Sequence, residues 1–81
     1  MKKQTLTIQV EAEFVIPVVK LIKSILTYKF GTEPNVKDFS FKDAAFHEII
    51  FYYVATDARN QMIRSRIEHE AKDLMVILPE V

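Results

Sequence analysis

Residues 4–15, QTLTIQVEAEFV, alternate without a break. Leu6, Ile8, Val10, Ala12 and Phe14 fall on one side; Thr5, Thr7, Gln9, Glu11 and Glu13 fall on the other. A period of two over this length predicts a strand with one buried and one wet face. Such a strand needs partners and a layer packed over its apolar side, so the chain must build a sheet covered on at least one face.

The pattern changes at Pro17, a residue well suited to the first turn of a helix because its missing N–H has no partner to lose there. From Pro17, the residues Val18, Val19, Ile22, Ile25, Leu26 and Phe30 form one apolar stripe at helical spacing, with Lys20, Lys23, Ser24 and Thr27 opposite. Gly31 stands where a left-handed residue would end that helix. A loop then leads into a short expected strand at Val36–Lys42, with Phe39 and Phe41 on one side.

The segment FHEIIFYYVAT, residues 46–56, is rich in β-branched and aromatic residues, which predicts a strand buried on both faces. A competing reading makes it a helix started by Ser40 with Asp43 as a capping box. After Asp57, taken as the N-cap, residues 58–75 read as a helix with Ile63, Ile67, Ala71 and Leu74 inward, supported by Arg64–Glu68 and Arg66–Glu70 pairs. MVILPE, residues 75–80, is expected to be a last strand closed by Pro79.

Strand, helix, strand, strand, helix, strand is the split βαβ order. With right-handed crossovers it predicts a ferredoxin-like α+β sandwich spanning residues 1–81 as a single domain. Two helices would cover one face of a four-stranded antiparallel sheet, with the first and third strands central. The alternative, a strand followed by helices, is ribbon-helix-helix-like. In that arrangement Thr5, Thr7 and Gln9 would read a DNA groove.

Composition narrows the chemistry. The 81 residues include no Cys and one Gly, which excludes disulfides, thiolate ligands and Gly-rich phosphate loops. No apolar run approaches a membrane span and no signal-peptide pattern opens the chain, so a cytoplasmic protein is expected. Eleven basic residues balance eleven acidic ones, yet residues 1–30 carry a surplus of three positive charges and residues 31–58 three negative. That split suits pairing between copies of the chain better than binding a polyanion.

Two further likenesses follow from the strand and helix order. An open antiparallel sheet with aromatics resembles RNA-recognition domains, although the first strand offers Thr and Gln where those stack an aromatic. The order also resembles that of ACT domains, which pair sheets or edges and bind amino acids where the first strand meets the first helix. Those domains place a Pro-Gly turn at that junction, whereas Glu13, Phe14, Val15, Ile16 and Pro17 stand here.

The third strand carries the functional expectation. If Glu48 points to water, then Phe46, Ile50, Tyr52 and Val54 share the open face, while His47, Ile49, Phe51, Tyr53 and Ala55 face the helices. Leaving Ile50, Tyr52 and Val54 wet forgoes roughly 1.5–3 kcal/mol for each side chain. A domain this short buries only about 60–65% of its unfolded surface, so that loss matters.

A homodimer through this face is therefore expected, with Thr5, Thr7, Gln9, Ile50, Tyr52 and Val54 at the interface. It would act as a non-catalytic module that binds a protein partner or a small ligand. No set of nucleophile, base and stabiliser is evident, so no catalytic residue, cofactor or metal is assigned. His69 and Asp73, four apart, read as a solvated helix face, and His47 as a core imidazole.

Overall fold

The structure is a computed structural model that describes residues 1–79. Strand β1 runs over Lys2–Glu11, helix α1 over Val15–Ser24, and β2 over Asn35–Asp38. Strand β3 covers Phe46–Ala55, helix α2 Asp57–Ala71, and β4 Met75–Ile77. The four strands form one antiparallel sheet in the order β2-β3-β1-β4, an α+β architecture with both long strands central.

The two-residue period decides which side chains go inside. Leu6, Ile8 and Val10 of β1 are buried beside Ile49, Phe51, Tyr53 and Ala55 of β3. Val18 and Ile22 of α1 close over them together with Ile63, Ile67 and Ala71 of α2, giving one continuous core. Helix α1 gives way to a wider π turn at Ile25–Lys29, which buries Ile25 and Leu26. Gly31 follows at φ 65°, and the N–H of Thr32 reaches the Leu26 carbonyl at 2.9 Å to close that turn.

Several boundaries differ from the expectation for local reasons. Strand β1 ends at Glu11, and Ala12–Phe14 form a 3-10 turn instead of continuing the alternation. The Ala12 N–H still reaches the Ala45 carbonyl at 2.9 Å, so the ladder finishes there. The second strand stops at Asp38, because Asp38 Oδ1 accepts the Ser40 N–H at 2.9 Å and bends the chain. Phe39 and Phe41 consequently lie outside any strand and are exposed.

Thr56, and not Asp57, caps α2: its hydroxyl accepts the Arg59 N–H at 3.1 Å. Asp57 is instead the first helical residue, and its carboxylate receives Gln4 Nε2 and Lys2 Nζ, each at 3.0 Å. Helix α2 ends at Ala71, so Leu74 falls in the following turn and not on the buried stripe. Strand β4 is shorter than the expected MVILPE, although the Leu78 N–H extends its pairing to the Thr7 carbonyl at 2.8 Å. Glu80 of that prediction lies outside the described residues.

The helical reading of residues 46–56 is overturned, and with it the ribbon-helix-helix-like alternative. Phe46–Ala55 pairs with β1 over ten residues, and its burial alternates as in a sheet. Ser40 is not a helix cap, because its hydroxyl accepts the Glu48 N–H at 2.8 Å and anchors the start of β3. No helix among the described residues is long and apolar enough to cross a membrane.

Candidate functional site: the open sheet face

Side chains pointing away from the helices form a second surface. The register sets Thr5 opposite Tyr52, Thr7 opposite Ile50, Gln9 opposite Glu48 and Lys3 opposite Val54. All six predicted interface residues therefore share this face, four of them in two direct cross-strand pairs. Thr7, Ile50 and Tyr52 are half-buried by their neighbours, whereas Thr5, Gln9 and Val54 are exposed.

The apolar area is wider than those six residues. Phe46 lies on the same side of β3, opposite Glu11, and remains 53% exposed. Val76 of β4 sits beside Gln9 and is 61% exposed. Phe39, whose N–H meets the Glu48 carbonyl at 3.4 Å, adds an aromatic 63% exposed beyond the end of β2. Phe39, Phe41, Phe46 and Gln9 help to line a shallow hollow of about 320 Å³ at this end of the sheet. Val76 was legible from its parity between Met75 and Ile77; the face of Phe39 depends on the register of β2 against β3, which no local pattern gives.

Charge is placed at the ends of the central strands and at the β2 edge, where Lys37 stands opposite Ile50. Lys3 stands at the start of β1, and Glu11 and Glu48 stand at the opposite end of the two central strands. Across this length the separation is about 26 Å at the rise of an extended chain. The middle holds Thr5, Thr7, Ile50 and Tyr52, none of which is charged.

The titratable groups lie elsewhere. His47 points to the helix side, as its parity requires, but at the margin of the sheet and not in the core. Its Nδ1 meets Asp38 Oδ2 at 2.5 Å. Partial burial acts to raise the Asp38 carboxyl. The hydrogen bonds from His47 and Ser40 outweigh it and hold Asp38 below the ordinary carboxylate range. Asp57 is also held low, first by the hydrogen bond from Gln4 and then by Lys2.

His69 is on α2, whereas Asp73 lies past its end, so the two do not share a helical face. Arg66 Nε meets Glu70 Oε2 at 3.1 Å, the expected pair one turn apart. Among the described residues, no three His, Cys, Asp or Glu side chains come together as metal ligands. No family model, curated protein or solved structure matches this chain.

Proposed function

We propose that this chain is a ferredoxin-like, non-catalytic module that homodimerises through its open sheet face and works by binding a protein partner or small ligand. The observation that carries the proposal is the apolar surface of Ile50, Tyr52 and Val54 on β3, with Phe46 beyond Glu48 on the same face and Phe39 and Val76 to the sides. Covering the exposed halves of Phe39, Phe46, Val54 and Val76 contributes on the order of 1 kcal/mol each.

Size is compatible with this reading. The two central strands are each ten residues long, so the face measures roughly 33 Å along the strands and 10–20 Å across. Two such faces together bury on the order of 1,000–1,300 Å², at the lower end of stable interfaces. Thr5, Thr7 and Gln9 offer hydrogen bonds without a charge to desolvate, as the centre of a semi-polar interface requires.

The charged ends favour one arrangement. A two-fold axis between the two faces, parallel to the sheet and perpendicular to the strands, places Lys3 of one copy against the partner's Glu11, with Lys37 near the axis. A parallel arrangement would instead oppose Lys3 with Lys3 and Glu11 with Glu11. Tyr52→Lys tests the proposal. It introduces a cation at the middle of the face and should yield a folded monomer of normal far-UV circular dichroism. An unchanged dimer would place the interface elsewhere.

A further inference from the structure

We infer that the hollow between the β2–β3 loop and the start of β3 binds a small organic cation bearing an alkylated ammonium group. The inference rests on the reading of this chain as a binding module and names the class of its small ligand.

Aromatic rings make the site. Phe39, Phe41 and Phe46 line this hollow of about 320 Å³, and all three are exposed, Phe41 most of all. Apolar rings gathered in water mark a surface that meets something else. The loop carrying two of them is fastened to the sheet. The Phe39 N–H meets the Glu48 carbonyl at 3.4 Å, and the Ser40 hydroxyl accepts the Glu48 N–H at 2.8 Å. Further along, the Ala44 N–H reaches the Phe41 carbonyl at 3.0 Å, and the Ala45 carbonyl accepts the Ala12 N–H at 2.9 Å. The rings are thus in place before a ligand arrives, which lowers the ordering cost of binding.

The lining selects a cation. The face of a phenyl ring is electronegative and attracts positive charge. Glu48 adds a carboxylate to the lining, and among the described residues it takes part in no ion pair. The adjoining hollow, which shares Gln9 and Phe46, sets Glu11 and Asp73 against Lys72. No Lys or Arg lines the first hollow, and His47 in its lining turns Nδ1 to Asp38. The protein's own cations leave these rings alone: among the described residues the cation found over a ring is Arg59, on Phe30. No three metal-ligating side chains meet among the described residues. Rings with one carboxylate therefore suit a weakly hydrated alkylammonium better than a metal ion, which takes several oxygen ligands.

Size limits the ligand. The hollow is at the small end of ligand pockets. In the proposed dimer the axis passes by Ile50, opposite Thr7, so the partner's Val54 stands against Phe46, each four residues from that point. A free molecule of the size of choline suits such a space better than a side chain presented by a folded protein.

The test titrates the isotope-labelled full chain with choline chloride at constant ionic strength, reading backbone amide shifts by NMR and mass by sedimentation of the same samples. Shifts centred on Gln9 and residues 39–48 are expected, with Kd tighter than about 10 mM. The uncharged isostere dimethylbutanol, with a tert-butyl group in place of trimethylammonium, should bind at least about tenfold more weakly. Phe46→Leu and Glu48→Gln should each weaken choline binding about two- to fivefold with unchanged circular dichroism, both residues being exposed.

Equal binding of dimethylbutanol would overturn the choice of a cation, and no shift at about 20 mM choline would overturn the site. Tighter binding of a trimethyllysine peptide than of choline would overturn the choice of a free molecule. A dimer that does not bind choline would overturn this inference and leave the dimer intact. A monomer that binds choline would uphold the site and contradict the dimer.

Discussion

Tyr53 and Tyr52 are neighbours in sequence and opposites in environment, so removing the Tyr53 hydroxyl isolates what the inward face contributes. The Tyr53 hydroxyl donates to Asn60 Oδ1 of α2, and both residues are 4% exposed. In Tyr53→Phe the ring still fills its place, but the Asn60 carbonyl loses a donor in a site that water does not reach. An orphaned buried acceptor of this kind costs about 1–3 kcal/mol. For a domain of this length that is a fall in Tm of about 4–8 °C for each kcal/mol.

Urea denaturation at a fixed protein concentration, followed by circular dichroism, reads the change as a lower midpoint at constant slope. Removing the stranded carbonyl as well, in Tyr53→Phe with Asn60→Leu, should recover much of the loss, because an apolar pair of similar shape leaves nothing unsatisfied. A loss below about 0.5 kcal/mol in the single variant would refute the reasoning. So would a double variant that is less stable by the sum of both single losses.

Three further outcomes are expected. Gly31→Ala should cost about 1 kcal/mol through its positive φ alone, since an added Cβ meets nothing within 4 Å, and Gly31→Asn should cost less. Thermal melts would check both. Thr56→Ala should lose about 1 kcal/mol by uncapping α2, whereas Thr56→Ser should retain the cap. In the folded chain the Asp38 and Asp57 carboxyls are held below the ordinary carboxylate value of 3.8. The unfolded chain therefore binds more protons near that pH, and their stabilising contribution is present above it and lost as pH falls through the lowered values. A Tm profile across the acid limb should be flatter in Asp38→Asn than in the parent protein.

The alternation of polar and apolar residues carried the architecture, because in a strand one residue of sequence is one change of face. That logic placed Leu6, Ile8, Ile49 and Phe51 inside and Thr5, Thr7, Ile50 and Tyr52 outside, as the register has them. It failed where the backbone leaves the extended form while the side chains keep their period. Ala12 and Phe14 continue the alternation of β1 but belong to a 3-10 turn. Phe39 and Phe41 are two apart, yet β2 ends at Asp38; the Phe39 N–H still reaches the Glu48 carbonyl, whereas the Asp38–Ser40 turn takes Phe41 out of the ladder.

Long-range pairing was the other blind spot. The spacing of His47 correctly sent it to the helix side, but nothing local reveals that its partner is Asp38 across the sheet. The link from Gln4 and Lys2 to Asp57 joins the start of β1 to the start of α2 over more than fifty residues. The edge position of β2 followed from the expected central first and third strands, whereas the groove between it and α1 depends on how that helix packs next to it and was not legible.

The proposed dimer follows from one physical proposition: a domain this small does not leave an aromatic and β-branched sheet face in water. Sedimentation equilibrium of the unmodified chain over a wide concentration range tests it most directly. A face-to-face dimer has a mass of twice 9.4 kDa and dissociates on dilution. A mass of 9.4 kDa at every concentration would contradict it.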